Sequence, residues 1–559
     1  MACVSDLVAF TQPLIIGAKP LEIVRRSAAF HPNVWGDYFL KLSQDEKKLE
    51  SMRERAKVLK EKVLKKLSTI EGGERLELID TLYHLGVAYN FEKEIEEALE
   101  KIYKAYDEDA TQDNLCTLAL RFRLLRQHGW NASSDVFNKF KETKNGNFKE
   151  SVASDVLGML SLYEASYVGT KEDKILEEAI SFTTRNLSAA LPNMEPLLAE
   201  RVAHSLELPL HKRLQRLEAR YFITMYEKNN AHDEMLLEYA KLDYNLLQAL
   251  HQNEMKELTK WWTKIDLVGK MKFPRDRVTE CYFWPLGAFF EPQHSRGRIF
   301  ATKITQLTSI IDDLYDVYGT QEELQLFTDV IQRWDMNAKK SLPDYIKPLY
   351  EALLSTLKDF EEELSLEGNA YRASFMQQAM KNICMAYFDE AKWYNRGTTP
   401  KVEEYLNSAE ISCGYPVVAT ACFTGAGEIT TKKLLEWIQS QPKYMKDTCR
   451  LCRIVDDIKT YKFEEERGHV ASVVACYMEE HKCNEDEALE KLNEDVMNTW
   501  KDINKACMRP TPFPMVVMNI IRNLSRVMEI LYQFGDGYTF ADTVTKERLN
   551  LLLKDPIPV

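Results

Sequence analysis

Glycine and proline, the residues that most often interrupt helices and strands, are scarce in this chain of 559 residues. Its 21 glycines and 19 prolines amount to about 7% of the sequence, whereas about 12% is usual. The alternation of apolar and polar residues that is typical of a half-buried strand is nearly absent. No segment recurs at a fixed period, which argues against tandem helix-pair solenoids. These absences predict a non-repetitive fold made of long helices.

Positive charge is also in the minority. Lysine and arginine total 73 residues against 86 aspartates and glutamates, which gives a net charge of −13 at pH 7. A nucleic acid or an anionic membrane surface attracts proteins that present a positive field, so neither is expected as a partner. An anionic ligand would have to be held locally, by a few arginines or by bound cations.

Long apolar runs and targeting segments are missing as well. No apolar stretch approaches the ~18 residues of a membrane-spanning helix, and the N-terminal MACVSDLVAFTQPLIIGAKP resembles neither a secretory signal nor a transit peptide. The eleven cysteines follow no regular framework, and the CxxC at Cys449 and Cys452 has no second pair to complete a zinc site. We therefore expect a cytoplasmic protein with reduced cysteines and no membrane partner.

Hydrophobic residues are abundant, at 45% of the chain, and suffice for a large buried core. A chain of this length is expected to form two or more domains. The polar segment MYEKNNAHDEM, residues 225–235, separates two blocks of helical periodicity. We predict an all-α fold with two helical domains, residues 31–230 and 231–559, preceded by a flexible N-terminal strand at residues 1–30.

The segment TQLTSIIDDLYDVYG, residues 305–319, places three carboxylates on an otherwise apolar helix. Asp312 and Asp316 are four residues apart and therefore share one side of the helix, where like charges repel each other. A solvated acidic face is the alternative, but the flanking apolar residues argue against full exposure. We predict that Asp312 and Asp316 bind a metal ion. Asp313 is rotated by about 100° from Asp312 and is expected to support these ligands from behind.

A second acidic stripe lies in RIVDDIKTYKFEEERG. Asp456, Thr460 and Glu464 follow one another at intervals of four residues and line one side of a helix. Carboxylate and hydroxyl oxygens are hard ligands that suit magnesium or manganese. Two helices that present such stripes to each other could hold several ions between them.

Three arginines accompany the acidic stripes. Arg275 and Arg277 form an RxR, and Arg453 precedes Asp456 by three residues. Each arginine alone fits an ordinary surface salt bridge. Together with two metal-binding stripes they indicate a site for a metal-bound diphosphate, because one guanidinium group can donate two parallel hydrogen bonds to phosphate oxygens.

Aromatic residues are frequent in the same part of the chain. Most such side chains belong to a hydrophobic core, but a pocket lined by ring faces would also stabilise a carbocation, by roughly 0.5–2 kcal/mol per ring. The sequence leaves both interpretations open for Trp284, Tyr387, Phe388, Trp393, Tyr394, Tyr532, Phe534 and Tyr538.

The motifs taken together resemble those of the plant terpene synthases of class I. DDLYD at 312–316 matches the family's DDxxD, DDIKTYKFE at 456–464 its (N/D)DxxS/TxxxE, RDR at 275–277 its RxR, and Arg25-Arg26 with Trp35 its R(P/R)x8W. The resemblance covers nearly the whole chain and is strongest to the cytosolic sesquiterpene synthases.

This resemblance implies a class I terpenoid synthase fold, with the active site in a central helical bundle of the C-terminal domain and a catalytically silent N-terminal domain. Three Mg²⁺ ions, which Mn²⁺ could replace, are expected at Asp312, Asp316, Asp456, Thr460 and Glu464. The expected substrate-binding residues are Arg275, Arg277, Arg453, Asp312, Asp316 and Asp456. The remaining expected catalytic residues, which resemble the family's pocket and lid, are Trp284, Tyr532, Asp536 and Tyr538. Arg25 is expected to help cap the closed site.

The implied reaction is the loss of diphosphate from farnesyl diphosphate, followed by cyclisation to a C15 terpene in a monomeric lyase. Only 24 residues precede Arg25, and in this the chain resembles the family's cytosolic members. A prenyl-chain elongase is a related alternative, although elongases carry two DDxxD-type motifs and this chain has DDxxTxxxE as its second. A non-catalytic all-α scaffold is a further alternative.

Overall fold

A computed structural model describes Arg25 and residues 30–143, 146–466 and 471–559. Helices dominate these ranges, and the only β-type pairing in them is an isolated antiparallel bridge between Lys141 and Phe148. Within the same ranges, no helix is both long and apolar enough to cross a bilayer. The N-terminal strand predicted for residues 1–30 lies outside the described residues, except for Arg25 and Phe30.

Among the residues that the structure describes before residue 230, there are eleven α-helices. They are α1 (Tyr38–Lys41), α2 (Glu46–Thr69), α3 (Gly72–His84), α4 (Glu92–Lys104), α5 (Tyr106–Gln112), α6 (Leu115–Gln127), α7 (Glu150–Ala153), α8 (Val156–Ser166), α9 (Lys174–Ala190), α10 (Pro196–Glu207) and α11 (Gln215–Lys228).

The described part of the chain after residue 230 holds fifteen more. They are α12 (Glu234–Ile265), α13 (Leu267–Lys270), α14 (Val278–Ala288), α15 (Ser295–Asp313), α16 (Gln321–Arg333), α17 (Lys347–Ser365), α18 (Tyr371–Arg396), α19 (Val402–Ser412), α20 (Tyr415–Gly425), α21 (Lys432–Gln439), α22 (Lys443–Glu466), α23 (Val473–His481), α24 (Glu485–Ala506), α25 (Met515–Leu531) and α26 (Val544–Leu553). A π-helical turn, Leu314–Tyr318, continues α15.

Buried apolar residues form two hydrophobic cores. Helices α2–α11 and residues 236–244 of α12 build most of the first core, and residues 247–262 of α12 with the helices that follow build the second. Trp35 and Phe39, although they lie near the N-terminus, pack into the second core. The division predicted at residue 230 falls in the connection before α12 and stays a prediction. Helix α12 runs unbroken through both cores and therefore connects them.

Helix α15, which carries the first acidic motif, packs against α20 through two glycines. A Cβ atom on Gly425 would lie 2.8 Å from the Cα of Gly297 and 2.9 Å from the carbonyl carbon of Arg296. These are backbone atoms, so neither helix can yield without shifting as a whole. The absence of side chains at Gly297 and Gly425 therefore sets how closely the two helices approach.

Gly425→Ala is expected to lower the free energy of unfolding by about 1–3 kcal/mol, because the added methyl group overpacks this contact. Urea denaturation followed by circular dichroism measures the change. The matched control is Gly73→Ala in α3, where the new Cβ would lie 3.8 Å from a methyl group of Thr117, an ordinary contact. The control should leave stability unchanged or raise it by up to about 1 kcal/mol. Equal effects of the two substitutions would contradict the packing argument.

Candidate active site

A cavity of about 520 Å³ opens among the helices of the second core. The end of α15 and its π-helical turn contribute Asp312 and Asp316 to its lining. Helix α22 contributes Asp456, Thr460 and Glu464. The structure thus brings the two acidic stripes of the sequence together around one cavity.

Asp316 lies on a π-helical turn, which the sequence pattern did not indicate. The regular spacing up to Gly319 predicts an uninterrupted α-helix, but the chain changes to π-helical bonding at residues 314–318. The amide of Gly319 donates to the carbonyl of Leu314 at 2.8 Å and closes the turn. A Cβ at Gly319 would meet Leu324 at 2.5 Å, so glycine is needed for this close approach. π-Helical turns are rare and are frequent at functional sites.

Asp312 and Asp313 share one arginine. The guanidinium of Arg275 is 2.7 Å from an oxygen of each carboxylate, and its backbone amide also donates to Asp313 at 2.9 Å. Both aspartates line the cavity, but Asp313 is almost fully buried, with 1% of its surface exposed, whereas the side chain of Asp312 is 30% exposed. Asp313 is thus the more deeply buried of the two carboxylates that contact Arg275.

The negative charges of the carboxylates around the cavity are poorly compensated by nearby positive groups. Burial, followed by repulsion from Asp316, raises the pKa of Asp312 to about 7. Burial raises the pKa of Asp456 to about 7 and that of Glu464 well above its usual value, with repulsion among the neighbouring acids adding to both shifts. Such shifts mean that the ionised site stores electrostatic repulsion that bound cations would relieve.

The oxygen atoms of the two acidic stripes suit magnesium ions that are coordinated partly by the protein and partly by a bound substrate. The hydroxyl oxygen of Thr460 is buried and has no hydrogen-bond partner among the described residues. Within the described ranges, no three carboxylate, histidine or cysteine side chains converge tightly enough to hold an ion by themselves. Magnesium commonly binds one or two carboxylates, water and substrate phosphate oxygens instead of a complete protein cage. Stripes on opposite helices with a free hydroxyl oxygen suit that coordination.

Arg453 also reaches the cavity, one helical turn before Asp456. Its Nη1 is 3.3 Å from an oxygen of Asp456 and 3.3 Å from one of Asp457. Asp457 is fully buried and also accepts hydrogen bonds from the Tyr405 hydroxyl at 2.9 Å and from the Val473 amide. These contacts fix Asp457, so that it orients Arg453 toward the acidic stripe.

Arg277, predicted to bind substrate, is not brought into the cavity. It is fully buried, and its guanidinium donates to the backbone carbonyls of His31 at 2.9 Å, Asp276 at 3.0 Å and Thr539 at 3.5 Å. Arg277 therefore ties the N-terminal segment to the loop that follows α25. In a fully extended segment residues 275 and 277 would point to the same side, but Arg277 directly precedes α14 and has left the extended conformation, with φ −133° and ψ 29°, so the two arginines of the RxR motif have different environments.

The predicted pocket residues Trp284, Tyr532, Asp536 and Tyr538 all line the cavity. The rings of Trp284 and Tyr538 meet edge to face, with centroids 5.1 Å apart. The Tyr538 hydroxyl donates to Ser309 at 2.5 Å. Asp536 accepts the backbone amides of Tyr538 and Thr539 at 3.0 and 2.8 Å, which shapes the loop at the cavity mouth.

The other aromatic candidates divide between the cavity and the core. Tyr387 lines the cavity, Phe388 and Trp393 belong to the hydrophobic core, and Phe534 is 64% exposed. The side chain of Tyr394 is outside the described set. Sequence reasoning did not single out four tyrosines that also line the cavity, namely Tyr315, Tyr318, Tyr405 and Tyr415.

Glu390 is a cavity-lining carboxylate that sequence reasoning missed. It lies on α18, outside both acidic motifs, and accepts a hydrogen bond from the Ser412 hydroxyl at 2.5 Å. Burial raises its pKa to about 7, against the attraction of Arg453. Its surroundings in the sequence contain no pattern that distinguishes it from other helical acids, so only the tertiary contacts reveal it.

Arg25 connects the N-terminal segment to the π-helical turn. Its guanidinium is 2.7 Å from Glu323 and donates to the carbonyl of Tyr318 at 2.9 Å. It also lies over the rings of Tyr318 and Tyr345, at 4.6 Å from each centroid. Arg25 therefore holds the turn that carries Asp316. Arg26, the second arginine of the motif, lies outside the described residues.

Two family models match this chain. "Terpene synthase, N-terminal domain" matches residues 34–206, and "Terpene synthase family, metal binding domain" matches residues 263–502, which include both acidic stripes. The chain belongs to the terpene synthase family. The predictions of the family and of its lyase chemistry are thereby confirmed.

Individual terpene synthases extend the likeness over nearly the full length. Terpene synthase 2 of Piper nigrum is 57% identical, with 96% of each chain covered. Sesquiterpene synthase 2 of Toona sinensis is 46% identical and covers 96% of this chain and 97% of its own. The crystal structure of isoprene synthase from Populus x canescens, in complex with three Mg²⁺ ions and dimethylallyl-S-thiolodiphosphate, superposes with a TM-score of 0.86 at 35% identity, covering 94% and 99% of the two chains. This superposition confirms the predicted class I terpenoid synthase fold.

Proposed function

We propose that this terpene synthase is a sesquiterpene synthase, which ionises farnesyl diphosphate with the help of Mg²⁺ and cyclises the resulting cation to a C15 terpene. The observation that carries the proposal is the cavity in which two acidic stripes and two arginines meet an aromatic wall. The acids and arginines suit a metal-bound diphosphate, and the rings suit a hydrocarbon chain that becomes positively charged.

We assign the metal ions to Asp312, Asp316, Asp456, Thr460 and Glu464. Asp313 holds the guanidinium of Arg275 in position through an ion pair. Mg²⁺ ions, when bound, neutralise the diphosphate and promote its departure, and Mn²⁺ is a possible substitute. The two acidic stripes are held on separate helices, so the ligand's anionic end lies between them. The raised pKa values of Asp312, Asp456 and Glu464 agree with a site built for cations.

Arg275 and Arg453 are assigned to bind and orient the diphosphate. Both guanidiniums line the cavity next to the acidic stripes, and each is held by buried carboxylates, Arg275 by Asp313 and Arg453 by Asp457. An arginine fixed in this way loses little conformational entropy when it binds phosphate oxygens. Arg277 acts by joining the N-terminal segment to the loop that carries Thr539.

The hydrocarbon chain is assigned to the aromatic wall. Trp284, Tyr532 and Tyr538 present ring surfaces that attract a cation and exclude water, which would otherwise end the reaction early. The break between α19 and α20, at Gly414 with φ +81°, leaves the ends of both helices at the cavity.

Substrate length, organisation and location belong to the same proposal. A C15 substrate is supported by the relative named a sesquiterpene synthase. We propose that residues 31–230 are catalytically silent, that residues 231–559 form the catalytic domain, and that the enzyme acts as a monomer. The ten cysteines in the described part of the chain are all free, which supports a cytoplasmic location.

Purified protein incubated with farnesyl diphosphate and Mg²⁺ is expected to release diphosphate and volatile C15 products, identified by gas chromatography with mass spectrometry. Geranyl and geranylgeranyl diphosphate, tested in parallel, should each give a kcat/KM that is lower than that for farnesyl diphosphate by at least about tenfold, because the cavity wall is fitted to one chain length. No product from farnesyl diphosphate with either Mg²⁺ or Mn²⁺ would refute the proposal.

Two further arms test the alternatives. Added isopentenyl diphosphate should yield no longer prenyl diphosphates, whereas an elongase would make them. Calorimetry with Mg²⁺ and inorganic diphosphate should show metal-dependent binding, whereas a non-catalytic scaffold would show none.

A further inference from the structure

Three thiols meet where α19 and α22 pack together at the cavity. Cys413 follows the last residue of α19, and Cys449 and Cys452 lie one turn apart on α22. The three thiols are electrostatically coupled, since the pKa of each is shifted by its neighbours in the cluster. The Cys452 thiol also lies 4.0 Å from the Cys413 carbonyl oxygen. The metal site and the aromatic wall make no use of these thiols.

We propose that Cys413, Cys449 and Cys452 form an oxidation site at which hydrogen peroxide joins Cys413 to a thiol of α22 in a reversible disulfide. The site goes beyond the proposed function, and the formation of the disulfide does not depend on it. Hydrogen peroxide is small enough to reach Cys413 and Cys452, since both line the cavity, and Cys413 is partly exposed.

The chemistry balances with peroxide as the only oxidant. The Cys413 thiolate attacks one peroxide oxygen, the O–O bond breaks, and hydroxide leaves, so that Cys413 becomes a sulfenic acid. A thiol of α22 then attacks the Cys413 sulfur, the S–O bond breaks as the S–S bond forms, and hydroxide leaves. With the two thiol protons, the products are one disulfide and two waters. Either α22 thiol can complete the second step, because both contact Cys413.

The electrostatics of the cluster favour Cys413 as the thiol that attacks peroxide and is oxidised first. Burial alone would raise the pKa of Cys413, but the hydrogen bonds from Cys449 and Cys452 outweigh burial and lower it well below its usual value. The pKa values of Cys449 and Cys452 are raised, first by burial and then by Cys413. The cluster therefore concentrates thiolate character on one partly exposed sulfur, as in redox-reactive cysteines.

A disulfide at this place would disturb the catalytic geometry. Closing a thiol contact to a bond of about 2 Å pulls the break at Gly414 toward α22. Cys452 directly precedes Arg453 and lies one turn before Asp456. A displacement of ~1 Å at such positions can cost on the order of 100-fold in rate, so a loss of about tenfold or more in turnover is expected. This consequence rests on the proposed function.

The test uses reduced full-length protein treated with graded hydrogen peroxide, blocked with iodoacetamide and digested without reductant. Mass spectrometry is expected to find a peptide cross-linked from Cys413 to Cys449 or Cys452 that dithiothreitol reverses. In the double variant Cys449→Ser/Cys452→Ser, dimedone should label Cys413, because its sulfenic acid is no longer consumed. Cys116, which is also partly exposed and lines a separate cavity, is the matched control and should react more slowly.

Activity provides the second readout, with each protein compared with its own unoxidised rate. Peroxide should lower the turnover of wild type and of Cys116→Ser by about tenfold or more, with recovery in dithiothreitol, while Cys413→Ser should resist. The proposal is overturned if no cross-link to Cys413 forms, if Cys116 is labelled as fast as Cys413, or if Cys413→Ser is inactivated as strongly as wild type. Since cross-linking is measured on the wild-type protein, an inactive enzyme would refute the proposed function and leave this test intact.

Discussion

Asp312→Asn is expected to lower kcat/KM for farnesyl diphosphate by about 10³-fold, a loss of about 4 kcal/mol of transition-state stabilisation. Asp312 stands at the cavity end of α15, where it meets Asp316 and Arg275. An amide at this position removes a negative charge that binds the cations and cannot replace it as a hard anionic ligand. The rate is measured by product yield at fixed Mg²⁺, and the apparent Mg²⁺ requirement should rise.

Stability should change little or increase in the same variant, which separates a catalytic effect from unfolding. Burial and the neighbouring Asp316 raise the pKa of Asp312 to about 7. A carboxyl group with a raised pKa in the folded state makes folding less favourable as the pH rises from about 4 through 7. At pH 8 without metal, Asp312→Asn is therefore expected to melt no lower than wild type.

Two companion variants test the assignment of the carboxylates. Asp313→Asn should lose about 10–100-fold in rate, the scale seen when a group that positions a metal ligand is changed. Because burial raises the pKa of Asp313 to about 6, this variant too should melt no lower than wild type at pH 8 without metal. Asp329→Asn, an exposed acid on α16, should leave rate and stability unchanged. Retained turnover in Asp312→Asn would refute its role as a metal ligand.

Arg453→Ala is expected to lower kcat/KM by about 10²–10³-fold, because it removes a guanidinium placed to bind the departing diphosphate. It should also lower stability, since removing one partner of a buried ion pair leaves the other charge uncompensated. The uncompensated group is Asp457, which is fully buried and keeps only its bonds to Tyr405 and Val473.

Arg453→Lys distinguishes binding of diphosphate from a loss of folding. Lysine keeps the positive charge near Asp457, so the variant should remain folded. Because lysine cannot donate two parallel hydrogen bonds to a phosphate group, the variant should lose about 10–100-fold in rate. The inhibition constant of inorganic diphosphate should rise in both variants. Lys459→Ala, an exposed cation on the same helix, is the control and should behave as wild type. An unchanged inhibition constant in Arg453→Lys would contradict the assignment.

The sequence was most informative where side chains repeat along a single helix. The spacing of Asp456, Thr460 and Glu464 places them on one stripe in any α-helix, and the structure has them on the cavity side of α22. The scarcity of glycine and proline similarly predicted long helices, of which α12, with 32 residues, is the clearest example. Local regularity of this kind needs no tertiary information.

Sequence spacing was less informative where neighbours along the chain have different surroundings. Arg275 and Arg277 belong to one motif, yet Arg275 faces the acids of the cavity and Arg277 binds backbone carbonyls in the protein interior. Nothing in RDR distinguishes the two, because the environment of each is supplied by α15, by His31 and by the loop at Thr539. The same holds for Glu390, which becomes part of the site only because α18 packs beside it.

The sequence by itself determined the helical class and the two acidic stripes, since these depend on composition and on periodicity within single helices, and the family followed from the resemblance of its motifs. Only the tertiary structure decided that the stripes share a cavity with Glu390 and four further tyrosines, that Asp316 lies on a π-helical turn, and that three thiols meet beside Arg453. These features arise from contacts between helices far apart in the chain. Contacts of that kind follow from close packing, such as the meeting of Gly297 and Gly425, which periodicity along one helix does not encode.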